Sequence, residues 1–272
     1  ALTDLNKLLD NQLLFFEGDA SEVLIDIVKE VGAESVYWNR CYEPWAIERD
    51  SRIKKSLKAL NISVQCFNSS LLWEPWAVLK KDGTPYKVFT PFYRKGCLVS
   101  SAPRMPLEIP SNINCVAFEG SKSLSELGLR SKNNWYKKFE NIWDVSSDGV
   151  TAKLRGFLDE GLDVYREGRN FPSKKYVSAL SPYLRFGMIS PNMVWYAAIS
   201  EKTSKSEDRN LDTFLSELGW REFSYYLLYH FPQLPSQNLQ SKFDAFPWHK
   251  DPYDVLETVS YTHLTLPTTD RV

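Results

Sequence analysis

Short apolar runs that alternate with helical segments limit the first hundred residues of this chain to one class of fold. The runs are QLLFFEG at 12–18, ESVYWNR at 34–40 and ISVQCF at 62–67. Segments with a helical period precede or separate them, at 4–10, 19–33 and 44–60. Strands that alternate with helices over short connections form a parallel sheet covered by helices. We therefore predict a partial parallel α/β domain over residues 1–100. No glycine-rich phosphate loop occurs in it, so an ordinary dinucleotide site is not predicted there.

The pattern changes after residue 100. The stretch SSAPRMPLEIPSNIN has three prolines and no sustained period, which indicates a connecting segment over 101–149. From 150 to 257 the pattern is helical, with Ser190 as an expected N-cap and Pro191 at the first helical position. The fold class is therefore α/β plus all-α. Residues 258–272, TVSYTHLTLPTTDRV, are rich in Thr and aperiodic, and we interpret them as a non-native tail.

Composition narrows the function classes. The net charge is −1, so nucleic-acid binding would require a local basic patch. The four cysteines form no C-x-x-C pair and the three histidines are dispersed, so no metal site is expected. Free thiols fit a cytoplasmic protein, and no apolar run approaches the roughly 18 residues of a membrane span. Aromatic residues make up 14% of the chain, which suits stacking on flat ligands as well as a Trp-rich core.

The stretch LSELGWREFSYYLLYH, residues 215–230, places polar and aromatic groups on one helix. Glu217, Trp220, Arg221 and Ser224 follow helical spacing. One interpretation is an internal Glu217–Arg221 ion pair beside a core Trp; the other is a surface for a flat, hydrogen-bonding ligand such as a nucleobase. Gly219 costs about 1 kcal/mol relative to Ala within a helix, which predicts a close neighbour at that position.

Two further stretches contain candidate binding groups. In KKYVSALSPYLRFGMISP, residues 174–191, Ser178 and Ser181 precede a helix start and suit either an anion site or simple helix capping. In VYREGRNFP, residues 164–172, Tyr165 and Arg169 are four residues apart near a Lys pair. That stretch indicates either a basic patch or a solvated helix face.

These stretches together resemble a known family. Tyr165 to Arg169, VSALSPYLRFG and SELGWREF are similar to the flavin-binding helical domain of the DNA photolyase/cryptochrome family. VYWNRCYEPWAIERD and LLWEPWAVLKKDGTPYKVFTPFYR resemble the antenna domain of bacterial class I cyclobutane pyrimidine dimer photolyases, and LSELGL resembles the interdomain connector. The resemblance covers residues 1–257. It implies a partial antenna domain (1–100), a connector (101–149) and the first part of the helical FAD-binding domain (150–257), truncated before the later flavin motifs and without the family's first strand.

The resemblance implies a light-driven enzyme. Reduced FAD, excited by blue or near-UV light, would pass an electron to a pyrimidine dimer flipped out of DNA, and the cyclobutane ring would split. An antenna chromophore, a folate or a deazaflavin, would sit on the α/β domain, where Trp45 and Lys80 are candidates by location alone. The expected partner is dimer-containing DNA, with no membrane and a monomeric protein. The alternatives are a cryptochrome-type blue-light photoreceptor and a helical interaction module, and the second leaves the Glu217/Trp220/Arg221 group unexplained.

The family's site residues carry over to numbered positions. Glu217 and Trp220 would be catalytic, Glu217 as a neutral acid bonded to a base edge and Trp220 stacked on the dimer. Val177 stands where the family usually has Thr, which removes one hydroxyl from the flavin site. The cofactor-binding positions are Tyr165, Val177, Ser178, Leu180, Ser181 and Phe214. The DNA-binding positions are Arg169, Glu217, Trp220, Arg221 and Ser224.

Overall fold

A computed structural model describes residues 1–108, 110, 113–116, 118–140, 142–201 and 208–247. The α-helices are α1 (Leu2–Leu8), α2 (Ala20–Val31), α3 (Pro44–Ala59), α4 (Phe89–Pro91), α5 (Lys137–Glu140), α6 (Ser147–Gly156), α7 (Tyr165–Gly168), α8 (Ser181–Arg185), α9 (Pro191–Glu201) and α10 (Arg209–His230). The strands are β1 (Ser35–Asn39) and β2 (Ser63–Phe67). Within the described residues no helix is long and apolar enough to cross a membrane.

The predicted parallel pairing is confirmed for two strands. β1 and β2 pair in parallel from Ser35 opposite Ser63 to Asn39 opposite Phe67. The helices α2 and α3 cover this pair, and a small core forms around Val28, Ile53 and Leu57. Local signals set the bounds of α2. Asp19 accepts backbone N–H bonds at its start, and Gly32 ends it with a φ of 63°.

The strand predicted at 12–18 is wrong. The segment has no ladder partner in the described part of the chain. Phe15 instead donates its N–H to Ser121 Oγ at 3.0 Å, and its carbonyl accepts from Lys122 N–H at 2.8 Å. An apolar run becomes a strand only when a neighbouring strand takes its backbone groups, and here connector residues take them.

A second, larger core forms around the helices and includes residues from the first hundred positions. Trp73, Phe92 and Tyr93 pack in the same buried cluster as Phe214 and Tyr226. The segment from about residue 72 to 97 therefore contributes its apolar side chains to the helical part of the chain. The predicted domain bounds at 100 and 150 stay a prediction.

The helical pattern predicted from residue 150 onward is interrupted between Gly156 and Tyr165. After α6 the chain forms a π-helical turn at Phe157–Gly161 and a 3₁₀ turn at Leu162–Val164 before α7 begins. These turns require a glycine at position 161, because a Cβ there would lie only 2.7 Å from a ring carbon of Phe157. The extra residue in the π turn allows Phe157 and Leu162 both to enter the core.

Helices α9 and α10 match the predicted pattern. Ser190 Oγ accepts from Met193 N–H at 3.1 Å, and Pro191 is the first residue of α9, as expected. A second unit begins at Gln233, and its described residues, 233–247, include a 3₁₀ turn at Ser241–Phe243. The predicted tail at 258–272 lies outside the described residues.

The close neighbour predicted at Gly219 is Tyr93. A Cβ on Gly219 would lie 2.6 Å from a ring carbon of Tyr93, whose side chain is 1% exposed. We expect Gly219→Ala to lower the free energy of unfolding by about 1–2 kcal/mol, because overpacking outweighs the gain in helix propensity. Urea denaturation measures this.

Gly156→Ala is the matched control for that substitution. Gly156 has no atom within 4 Å of its Cβ position and lies in helical backbone. We expect this variant to be stabilised by up to about 1 kcal/mol. A Gly219→Ala protein as stable as the Gly156→Ala protein would contradict the packing described here.

Candidate functional site

A cavity of about 350 Å³ lies where α7, α8 and α10 meet. Tyr165 is the first residue of α7, Ser181 the first of α8, and Phe214 and Glu217 lie on α10. The cavity, called here the first cavity, is lined by Tyr165, Ser178, Leu180, Ser181, Leu184, Arg185, Phe214, Glu217, Leu218, Arg221 and Tyr225. Three separate sequence stretches thus meet in one space. Five of the six predicted cofactor positions lie in its lining; Val177, 48% exposed, does not.

Aromatic contacts hold the apolar side of this cavity. The Tyr165 ring packs edge-on against Phe157 and Phe214, with centroids 5.5 and 5.3 Å away. Burial raises the pKa of the Tyr165 hydroxyl, and the charge of Glu217 acts in the same direction. Tyr165 therefore lines the cavity as a neutral hydroxyl donor on an apolar ring.

The serines on the other side are not helix caps. Leu180 occupies the N-cap of α8, and no side-chain cap bond forms there. Ala179 has a φ of 51°, in the left-handed region, where the chain turns between Ser178 and Ser181. The turn leaves both serines in the cavity lining, so the capping interpretation of these residues is wrong.

Glu217 pairs with a residue of another helical segment. Its carboxylate accepts from the Arg169 guanidinium, which also lies 5.9 Å from the Tyr165 ring centroid. The interpretation of an internal Glu217–Arg221 pair is therefore wrong. Both partners of the actual pair are more than a third exposed, so it contributes little to stability. It does place Arg169, one basic residue of the 164–172 stretch, beside Glu217 in the cavity lining.

Arg221 is oriented by contacts with the segment that follows β2. Its guanidinium donates to the Ser70 carbonyl, lies 3.3 Å from Glu222 Oε1, and sits 5.1 Å from the Tyr225 ring centroid. The side chain is 18% exposed. Its charge therefore faces the cavity from a largely buried position.

Glu222 is the residue that sequence reasoning missed. It is 2% exposed, and Oε2 accepts the backbone N–H groups of Leu72 at 2.7 Å and Trp73 at 3.3 Å. A signal was available, because Glu222 is three and four residues from Gly219 and Leu218 on the buried face of α10. A carboxylate on an apolar face needs partners, and it finds them 150 residues earlier in the chain.

Trp220 and Ser224 lie outside the first cavity. Trp220 is 47% exposed and its ring stacks on Phe89, with centroids 3.8 Å apart and planes 13° from parallel. Ser224 Oγ donates to the Trp220 carbonyl. Because successive residues of an α-helix are about 100° apart, Trp220 lies about 60° to one side of Glu217 and Arg221 about 40° to the other. Glu217 and Arg221 therefore line the first cavity, whereas Trp220 and Ser224 do not. The predicted roles of these four residues stay predictions.

A second cavity, of about 410 Å³, borders the first. Leu184, Arg185, Arg221 and Tyr225 line both. Its remaining lining includes residues at the end of β1 and in the segment after β2, among them Asn39, Arg40, Ser69 and Ser70. In open α/β sheets, ligands bind at the carboxyl ends of parallel strands.

The two antenna candidates line neither of these cavities. Trp45 is 64% exposed, with the Arg49 guanidinium 5.1 Å from its ring centroid. Lys80 is exposed and bonds to Thr84 Oγ1 at 3.1 Å. Among the described residues no group of three His, Cys, Asp or Glu side chains is placed to hold a metal ion.

Two protein-family models match this chain, one in its first part and one in its last part. A model described as DNA photolyase matches residues 1–110, and one described as FAD binding domain of DNA photolyase matches residues 214–264, which include most of α10. The chain belongs to the DNA photolyase/cryptochrome family. The predicted class of an α/β part followed by a helical part is confirmed.

Relatives and solved structures agree with that family. The chain is 38% identical over 244 residues to a deoxyribodipyrimidine photo-lyase of Agrobacterium fabrum, covering 88% of this chain and 50% of the relative. It is 30% identical over 240 residues to cryptochrome-2 of Arabidopsis thaliana, and the match covers 84% of this chain and 39% of the cryptochrome. A crystal structure of a bacterial class III photolyase from Agrobacterium tumefaciens superposes with a TM-score of 0.86 at 36% identity. That superposition covers 94% of this chain and 54% of the photolyase.

The chain spans about half the length of these photolyase relatives. The structure at 36% identity is a class III photolyase, whereas the sequence motifs suggested class I. The class within the family therefore stays a prediction.

The buried Glu222 carboxyl makes stability depend on pH. Burial raises its pKa from the ordinary 4.5 to about 8, against the opposing effects of Arg221 and of the Leu72 and Trp73 N–H groups. Because the pKa of Glu222 is higher in the folded than in the unfolded protein, this residue contributes most to the free energy of unfolding below about pH 4.5. That contribution is lost as the pH rises through about 8.

We expect Glu222→Gln to remove this dependence, because an amide does not titrate. The free energy of unfolding, measured in urea at pH values from about 5 to about 8, should fall less with pH in the variant than in the wild type. Glu48→Gln, at an exposed position on α3, is the control and should follow the wild type. Identical pH profiles for wild type and Glu222→Gln would contradict the assignment.

Proposed function

We propose that this chain forms the part of a light-driven DNA photolyase that holds FAD beside a pyrimidine dimer. The observation that supports this most is the first cavity. It gathers Tyr165, Ser178, Ser181 and Phe214, four positions at which the family resemblance places cofactor contacts. The proposed reaction is repair of cyclobutane pyrimidine dimers by electron transfer from reduced FAD.

The residues present fit a flavin dinucleotide. Both cavities fall within the roughly 300–1,000 Å³ usual for ligand sites, and they share a lining. Phe214, Leu180 and Leu218 offer apolar surface, while the hydroxyls of Ser178 and Ser181 offer hydrogen-bond donors. When bound and reduced, FAD supplies the electron that splits the dimer.

Arg221, which the family resemblance places at the DNA, and Arg185 also suit the pyrophosphate of such a ligand. Arg221 and Arg185 line both cavities, and guanidinium groups pair with phosphate oxygens through two parallel bonds. Arg221 is already oriented by the Ser70 carbonyl, so little side-chain entropy remains to be lost on binding. We propose that Arg169, which is partly exposed beside Glu217, binds the DNA backbone.

Glu217 would contact the base edge. Its side chain is 39% exposed and paired with Arg169, so the burial from which a neutral acid was predicted is absent. Trp220, exposed on the adjacent side of α10, would stack on the dimer.

A cryptochrome-type photoreceptor is the second candidate. It is supported by the 30% identity to cryptochrome-2 of Arabidopsis thaliana. The exposed Trp220 next to a carboxylate favours repair, because a signalling pocket has no need to bind a base. We also propose that an antenna chromophore, a folate or a deazaflavin, uses the part of the second cavity at the end of β1.

Light dependence tests the proposed reaction directly. The FAD-loaded, reduced protein should restore thymines from a dimer-containing oligonucleotide under blue light and leave it unchanged in darkness. Chromatography of the oligonucleotide measures repair, and flavin absorbance measures loading. Equal repair in darkness would eliminate the photolyase proposal; flavin binding with no repair in light would favour the photoreceptor.

Trp220→Ala should weaken binding to dimer-containing DNA by about 5- to 150-fold, because base stacking on an aromatic ring contributes roughly 1–3 kcal/mol. Flavin content should stay near the wild-type value, since Trp220 does not line the first cavity. Trp135→Ala is the control, because Trp135 is an even more exposed indole, at 64% against 47% for Trp220. Unchanged affinity in the Trp220 variant, or equal losses in both variants, would argue against stacking at Trp220.

A further inference from the structure

Phe89, in the short helix α4, lies flat against Trp220. The ring centroids are 3.8 Å apart and the planes 13° from parallel, so one face of the indole is in van der Waals contact with the phenyl ring. Phe89 itself is half-buried. Neither the motifs nor the cavity lining assigns this residue a role.

Other aromatic rings hold Phe89 in its plane. The Tyr93 ring is nearly parallel to it, at 5.5 Å and 10°, and Phe223 packs edge-on against both Phe89 and Trp220, at 5.9 and 6.0 Å. Tyr93 is buried against Gly219, the residue before Trp220. The rings Tyr93, Phe89 and Trp220, called here the aromatic stack, therefore rest on a single turn of α10.

The aromatic stack leaves Trp220 one usable face. An indole has two faces, and Phe89 covers one of them at contact distance. The 47% exposure of Trp220 must therefore come from its other face and its edges. A flat ligand can stack only on that other face, and the indole plane is fixed before the ligand arrives.

We propose that Phe89 is a positioning residue for base stacking on Trp220. It holds the indole plane and directs an extruded pyrimidine to the uncovered face. This inference rests on the proposed function, because it specifies how the dimer is received. Phe89 itself touches neither flavin nor base in this arrangement.

Three variants test the proposal in the FAD-loaded protein. Phe89→Leu keeps an apolar side chain but removes the flat surface, Phe89→Tyr keeps the ring, and Phe67→Leu is the control. Phe67 is also partly exposed and stacked, on Tyr37 of β1, but lies in neither cavity. The measured quantity is the ratio of Kd values for undamaged and dimer-containing DNA of the same sequence, together with flavin content.

We expect Phe89→Leu to reduce this ratio by about 2- to 12-fold, since an aromatic pair contributes roughly 0.5–1.5 kcal/mol beyond its buried area. Flavin content and undamaged-DNA affinity should stay at wild-type values, which a merely structural role would not predict. Phe89→Tyr and Phe67→Leu should keep the wild-type ratio. An unchanged ratio in Phe89→Leu would overturn the proposal. An increased ratio would also overturn it, because Phe89 would then occupy the place of the base.

A ligand-free measurement separates this inference from the proposed function. With 5-fluorotryptophan incorporated, the ¹⁹F resonance of Trp220, identified by its loss in Trp220→Phe, should shift in Phe89→Leu and stay unchanged in Phe67→Leu. An unchanged ¹⁹F chemical shift of Trp220 in Phe89→Leu would show that the aromatic stack does not position the indole. A wild-type protein without any preference for dimer DNA, but with the expected resonance shift, would refute the proposed function and the role of Trp220 in it while leaving the stack in place.

Discussion

The contact between the buried Glu222 carboxyl group and the backbone of Leu72 and Trp73 is the interaction on which the candidate site depends. A polar group removed from water costs free energy unless it finds hydrogen-bond partners. Here two backbone N–H groups and the Arg221 guanidinium supply them. Because these N–H groups belong to the segment after β2, the contact fixes that segment against α10.

This contact also explains why the two cavities share residues. Arg221, next to Glu222, donates to the Ser70 carbonyl in the same segment and faces the space between α8 and α10. Loss of the Glu222 contact would remove the bonds from α10 to the backbone of Leu72 and Trp73, close to Ser70 in the lining of the second cavity. The proposed flavin and antenna sites share Arg221, which is next to Glu222 on α10.

Much of the local structure could be predicted from the sequence, because its causes are local. The caps of α2 and α9, the period of α10 and the parallel pairing of β1 with β2 depend on neighbouring residues or on pattern alone. The cavity lining could be predicted only through the family resemblance, since Tyr165, Ser178 and Phe214 come from different stretches.

The errors concern contacts between distant residues. Residues 12–18 have strand propensity, but pairing depends on what lies beside them. Helical spacing suggested that Glu217 forms an ion pair with Arg221. The actual partner of Glu217 is Arg169, which belongs to a separate helical segment. The Phe89–Trp220 stack and the Glu222 contact likewise join positions more than a hundred residues apart. Periodicity shows which residues are buried on a helix, but not which residues cover them.

Amide hydrogen exchange at Leu72 and Trp73 tests the central claim, that Glu222 holds the segment after β2 on α10. The two amides should exchange about as slowly as buried amides of α10 in the wild type, and much faster in Glu222→Leu, while β1 and β2 amides stay protected. Fast exchange at Leu72 and Trp73 in the wild type, or protection unchanged in Glu222→Leu, would contradict the account.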